Sequence, residues 1–313
     1  MKLIDVYLYN PELKIAWDDF IRMSKNGVFL FERSYMDYHA DRFQDFSLMF
    51  YIKKQLLAVL PASRHGGEVR SHGGLTYGGM ICDSRMTTQA MLQCFEALRL
   101  FLAEQNIHKI LYKRVPSIYH TYPADEDLYA LFRHQAALIR RDVSTCLPQN
   151  DRIGFSSRRL RTLKKARQQG LSVRLSRDYE AFFDLLAQVL AERHQVRPVH
   201  TSGEMTSLAA AFPENIKLFG AFRGNDLLAG TIVYETPQVA HTQYLANSED
   251  GRRIGALDLV MDYLICDYYL DKPYIDFGIS TEEEGRRLNE GLITQKQEFG
   301  GRAVVYDFYE WSL

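Results

Sequence analysis

The 313-residue chain has 46% hydrophobic and 25% charged residues and a net charge of −1. This composition excludes a disordered chain, and the charge supplies no global field for DNA or an anionic membrane. At this length two domains are expected, and no segment approaches the ~18 uncharged apolar residues of a membrane span.

The first 10 residues lack the layout of a signal peptide, so a cytoplasmic protein is expected. Cys82, Cys94, Cys146 and Cys266 are too widely spaced for a zinc pair or a redox motif. They read as small buried hydrophobes in a reducing compartment, and no metal site is expected.

In chain order, residues 47–62 read as strand, polar turn, strand. A glycine-rich run over 72–79 follows, with Tyr77 placed in a short strand. Met91, Phe95, Leu98 and Leu102 then mark one face of a long helix. Residues 108–112 form a strand, and Tyr119 and His120 follow Pro116. A helix over 128–135 and a strand over 137–146 complete the first half.

Residues 150–154 are polar and break the pattern, which puts a boundary near 150, between domains 1–150 and 151–313. Residues 158–167 are the most basic stretch, a helix capped by Ser156 or Ser157 and ended by Gly170, with Leu160, Leu163 and Arg167 on one face. It reads as a solvated face, with an acceptor phosphate or RNA as the functional alternatives. Short helical stretches over 182–194 and 204–211 come next.

The hairpin then repeats. Residues 217–233 match 47–62, with Leu227 in the place of Leu56. A strand with Tyr244 follows, and Leu257, Val260, Met261, Leu264 and Tyr268 mark a helix face. A strand over 274–277, a helix over 286–299 and a strand over 302–309 close the second half. Each half is therefore a mixed sheet with helices packed on it, an α/β class of fold.

Between the Tyr244 strand and the next helix lies Arg252-Arg253-Ile254-Gly255-Ala256, where free N–H groups, a glycine and two arginines suit a pyrophosphate. Asp276 ends a buried strand and is a candidate proton acceptor, or a cap of the following turn. Tyr77, Tyr119 and His120 are candidate acceptor contacts, with plain packing as the alternative.

Several strings resemble one family. Residues 252–256 are similar to the cofactor loop of the GNAT acetyltransferases, written Q/R-x-x-G-x-G/A, with Arg252 and Gly255 matching and Leu257 replacing the last small residue. Residues 274–278, YIDFG, resemble a strand end of the FemAB-type acyltransferases. Residues 288–292 and 295–300, which include Lys296, resemble that family's last helix. Residues 116–120 and 128–132 resemble its first-domain segments.

The resemblance implies two tandem GNAT-like domains and transfer of an acyl group, acetyl above all, from a coenzyme A thioester to an amine of a sugar or cell-surface precursor. The cofactor would lie on the second domain at Asn247, Arg252, Arg253, Gly255 and Ala256. Asp276 and Tyr244 would be catalytic. Tyr77, Tyr119, His120 and Lys296 would serve a small-molecule, lipid-linked or nucleotide-linked acceptor between the two halves. Ligases of this family that use aminoacyl-tRNA often carry a long helical arm; the short helices over 182–211 leave no room for one, which speaks against tRNA. Such a ligase and a non-catalytic binding module are the rival readings.

Overall fold

The computed structural model describes residues 4–194 and 198–313. In chain order the first half contains β1 (Ile4–Leu8), α1 (Lys14–Met23) and the hairpin β2 (Leu48–Ile52) and β3 (Gln55–Leu60). The hairpin β4 (Ser63–His65) and β5 (Glu68–Arg70) and the short β6 (Ile81–Cys82) follow. Then come α2 (Thr88–Glu104), β7 (Lys109–Lys113), α3 (Glu126–Arg133) and β8 (Ala137–Pro148). The second half contains α4 (Ser157–Ala166), β9 (Ser172–Ser176), α5 (Tyr179–His194) and α6 (Ser202–Ala211). Its sheet is built from β10 (Ile216–Arg223), β11 (Asp226–Glu235), β12 (Val239–Asn247) and β13 (Tyr274–Ile279). Helices α7 (Glu249–Ile254) and α8 (Ala256–Tyr263) lie between the last two, and α9 (Glu290–Gln297) and β14 (Arg302–Ser312) end the chain.

The two halves share a hairpin register. Phe50 pairs with Ala58 and Tyr51 with Leu56, across a bulge. In the second half Ala221 pairs with Ala229 and Phe222 with Leu227, across the same bulge. The matched Leu56 and Leu227 therefore hold equivalent ladder positions. The third strands differ, however. β12 runs for nine residues, whereas β6 has two, and Tyr77 lies outside it in the preceding loop. The glycine-rich run turns through Gly79 at φ +86°, where a side chain would strike the Tyr112 ring, so no strand extends through it.

The final strands do not stay with their own halves. One compact unit takes Met1–Val143, Thr281–Arg287 and Val305–Leu313, and the other Ser144–Ser280 and Leu288–Val304. In the first unit, β14 pairs antiparallel with β7, from Phe308 opposite Lys113 to Ser312 opposite Lys109. In the second, the end of β8 pairs antiparallel with β13, Cys146 opposite Asp276. A cut at residue 150 misses this exchange, because each closing strand is read from its neighbours in sequence and its partner lies in the other half.

The core of the first unit packs Met91, Phe95, Leu98 and Leu102 of α2 on Leu48, Phe50, Ala58 and Tyr112 of the strands. The core of the second packs Val260 and Met261 of α8 and Phe299 on Phe219, Val233, Ala240, Ile275 and Phe277. Burying such side chains contributes about 1.5–3 kcal/mol each, which fixes β12 and β13 against α8. Helix α9 begins at Glu290 behind its Asn289 cap rather than at 286. Among the described residues no helix is long and apolar enough to cross a membrane, and no group of three or more His, Cys, Asp or Glu is placed to hold a metal.

Candidate active site

Strands β12 and β13 run parallel and pair from Val239 opposite Tyr274 to His241 opposite Asp276. There the ladder stops, although β12 continues to Asn247 and β13 to Ile279. Two backbone irregularities accompany the opening. β12 bulges at Gln243, since Ile232 pairs with Tyr244 and Val233 with Thr242. β13 turns through Gly278 at φ +77° and shifts register against β8. A bulge takes a backbone N–H out of the ladder and re-aims the side chains beside it.

Asp276 stands at the point of opening and is fully buried. Oδ1 accepts from Ser144 Oγ at 2.5 Å and from the Gly278 N–H at 3.3 Å, and Oδ2 lies 2.8 Å from His241 Nδ1. With both oxygens occupied inside the protein, Asp276 does not present itself to a substrate, and the expectation of a proton acceptor there needs revision. The His241 ring is 15% exposed. Its selection needs the β12–β13 register, which local sequence does not carry; the same holds for Ser144.

Lys296, in the last turn of α9, is buried and donates to the carbonyls of Gly278 and Ile279, both at 2.8 Å. Burial lowers its pKa to about 8, and the nearby Asp276 charge acts in the opposite direction. Its ammonium therefore anchors the irregular end of β13. Thr242 Oγ1 and Ser280 Oγ, from the two diverging strand ends, are buried without hydrogen-bond partners. Tyr244 lies on β12 past the bulge, with its hydroxyl 2.6 Å from His200 Nδ1 and its ring edge-on to Phe183.

The loop expected to hold pyrophosphate is built differently. Helix α7 is capped by Ser248 and has Glu249 and Asp250 in its first turn. It ends at Gly255, φ +80°, and α8 starts at once with Ala256 in the core. A Cβ on Gly255 would sit 3.0 Å from Thr162 Cγ2 and 3.2 Å from the Ala166 Cβ, so the close approach that this glycine permits is taken by α4. Arg252 turns back to the Asn247 carbonyl at 2.7 Å, and exposed Arg253 pairs with Asp250. A cavity of about 560 Å³ bordered by α4 and α9 includes neither Arg252 nor Arg253; Asp258, Glu290 and Glu298 line it against Arg158 and Arg159, a poor balance for a phosphate.

Helix α4 is held there by a residue that periodicity assigned to solvent. Arg159 is buried, donates to Asp258, to Glu298 at 3.0 Å and to the Gln295 carbonyl at 3.1 Å, and lies over the Phe299 ring. Leu160, expected on the inner face, is 54% exposed. Three ion-pair and hydrogen-bond partners and one ring contact outweigh one leucine in setting the helix rotation. Arg158, Arg161, Lys164 and Lys165 face solvent.

The remaining candidates belong to the first unit. Tyr77 and Tyr119 are buried with ring centroids 4.6 Å apart, and Tyr119 shares a 3.0 Å hydrogen bond with Tyr306. His120 Nε2 lies 3.2 Å from the Val115 carbonyl, and burial lowers its pKa to about 4, so the ring is neutral near pH 7.

Residues 156–285 match the family model described as Acetyltransferase (GNAT) domain, a span that includes β12, α8 and β13. Among solved structures, the chain is similar to FemX, with a TM-score of 0.69 and 11% identity over 99% of this chain and 97% of that one. It is similar to L-PGS from Bacillus licheniformis, with a TM-score of 0.63 and 10% identity over 97% and 92%. It also resembles the C-terminal domain of a putative lysylphosphatidylglycerol synthetase from Agrobacterium fabrum, with a TM-score of 0.56 and 11% identity over 82% and 81%. A comparison with curated proteins finds no match. The chain has the tandem GNAT, FemAB-like fold that the sequence resemblance implies.

Proposed function

We propose that the chain is an N-acyltransferase whose second unit moves an acyl group from an activated carrier to an amine of a sugar or cell-surface precursor. One observation carries the reading: the β12–β13 ladder ends at His241 and Asp276, beside a bulge, in the segment that matches an acetyltransferase model. A diverging pair of strands gives an acyl chain a slot between backbones. N–H groups freed around Gln243, and those of alternate residues in 244–247 that point away from the β11 ladder, can stabilise the oxyanion that forms on the acyl carbonyl. Holding donor and amine together in such a slot supplies much of the rate through proximity.

The first reading of the donor is a coenzyme A thioester, acetyl above all, supported by the nature of the matched model. Its phosphates would rest outside residues 252–256, because α4 covers Gly255. A second reading, an aminoacyl ester of RNA, is favoured by one feature: the exposed basic row Arg158, Arg161, Lys164 and Lys165 on that covering helix. The name of the putative lysylphosphatidylglycerol synthetase relative, which joins a lysyl group to a phospholipid, is in keeping with an aminoacyl group and a lipid acceptor.

Titration calorimetry with coenzyme A, acetyl-CoA and an aminoacylated RNA minihelix separates the two. Micromolar binding of the thioester that is insensitive to salt supports the first. Binding of the RNA alone, weakening steeply between 50 and 200 mM salt, supports the second. Binding of neither favours a non-catalytic module.

A further inference from the structure

We propose that His241 is the group that takes the proton from the attacking amine, and that Asp276 is its positioning residue. The inference rests on the acyl-transfer reading and concerns the same site. Asp276 cannot itself exchange a proton with a bound amine, because it is fully buried and both oxygens already accept hydrogen bonds. What it can do is choose the tautomer of its neighbour. A carboxylate facing Nδ1 at 2.8 Å requires that nitrogen to carry the proton, which leaves the lone pair on Nε2.

The ring that carries that second nitrogen is 15% exposed. No described residue supplies a hydrogen-bond partner for Nε2. The ladder between the two strands ends at this residue pair, so beyond it the two strand edges no longer pair with each other. Gly278 borders the ring: its backbone turns at φ +77°, and a Cβ there would be in ordinary contact, 3.5 Å from Cε1 and 4.0 Å from Nε2. The Lys296 ammonium, from α9, is drawn to the Gly278 and Ile279 carbonyls, which fixes the glycine in place. Ser144 on β8 holds the other carboxylate oxygen, so Asp276 cannot rotate away from the ring. Among the described residues, Asp276 of β13 faces His241, and Lys296 of α9 and Cys146, paired opposite Asp276 on β8, interact with that carboxylate.

The step balances without a further reactant. The amine lone pair forms the new C–N bond at the acyl carbonyl carbon, and the nitrogen loses one proton to His241 Nε2. The C–O or C–S bond to the carrier then breaks, its electron pair leaves with the carrier, and the imidazolium returns the proton to it. Asp276 stabilises the imidazolium without being protonated.

Two measurements test this. In His241→Asn the amide nitrogen replaces Nδ1 as donor to Asp276, which keeps the buried carboxylate paired while removing Nε2. Its kcat should fall about 10²–10⁴-fold with donor KM within threefold of the parent, and added imidazole should restore part of the activity of His241→Ala. A kcat for His241→Asn within threefold of the parent overturns the assignment and leaves acyl transfer standing. Independently of turnover, ¹⁵N spectra of histidine-labelled protein should show His241 in the Nδ1–H form, with its signals lost in His241→Asn. A dominant Nε2–H form overturns the assignment even if no acyl donor is found, whereas failure of the parent protein to transfer any acyl group counts against the function itself.

Discussion

Replacing Gly255 by valine asks what this glycine is for. If it opens a phosphate cradle, the change lowers donor affinity and leaves the fold alone. The structure predicts a folding defect. A non-glycine residue at φ +80° costs about 1–2 kcal/mol in backbone strain, more for a β-branched side chain. The new Cβ also meets Thr162 Cγ2 at 3.0 Å and the Ala166 Cβ at 3.2 Å, and valine adds two methyl groups to that contact. Overpacking of this kind costs about 1–3 kcal/mol more. The sum, about 2–5 kcal/mol, is resisted by a helix that cannot withdraw, since Arg159 ties α4 to Asp258 and Glu298. At about 2–4 °C per kcal/mol the melting temperature of the second unit should fall by roughly 4–20 °C. Differential scanning calorimetry measures it, with Gly255→Ala as the milder member of the pair. An unchanged melting temperature together with a large loss of donor affinity would refute the packing account and restore the cradle.

Three further outcomes follow from the same geometry. Arg159→Leu removes the buried cation that Asp258 and Glu298 share, leaves only the exposed Arg158 near them, and should destabilise the protein by about 3–5 kcal/mol in urea titrations; a loss under 1 kcal/mol would contradict that role. Lys296 has a folded pKa near 8, below its ordinary 10.5, so the unfolded chain binds the extra proton; stability should rise as pH goes from 8 to 10.5, by about 2–4 kcal/mol, and this rise should be absent in Lys296→Met. Identical pH slopes in the two proteins would remove the buried ammonium from the account. Reversing charge at Arg161, Lys164 and Lys165 to glutamate should weaken an RNA-borne donor at least tenfold at 100 mM salt while leaving the melting temperature within about 2 °C, since all three side chains are exposed; a thioester affinity that drops equally would place its phosphates on this row too.

The repeated hairpins were legible because their signal is local: two apolar runs, a polar turn between them and Leu-Leu-Ala at the head of the return strand. The helix over Thr88–Glu104 was legible from its 3.6-residue period. Within the candidate site, Asp276 was legible as a strand-end carboxylate, from its position alone. Its partners were not. His241 and Ser144 reach it across the sheet from 35 and 132 residues away, and only the parallel ladder of β12 and β13 and the antiparallel ladder of β8 and β13 bring them together. Gly255 is the opposite case: a glycine after two arginines reads as a phosphate turn, yet its neighbours in space are Thr162 and Ala166 of a helix far earlier in the chain, and no pattern within the loop announces them.

The central claim is that this chain joins an acyl group to an amine, and the most direct measurement is that transfer. Isotopically labelled acetyl-CoA and a labelled aminoacyl-RNA are each incubated with the purified protein and a panel of amino sugars, nucleotide-linked amino sugars and amine-bearing lipids, and the products are analysed by mass spectrometry. The account predicts label in amide linkage on an acceptor amine, from one of the two donors, with turnover lost in His241→Asn. Absence of label from both donors on every acceptor, with the protein folded, would contradict it.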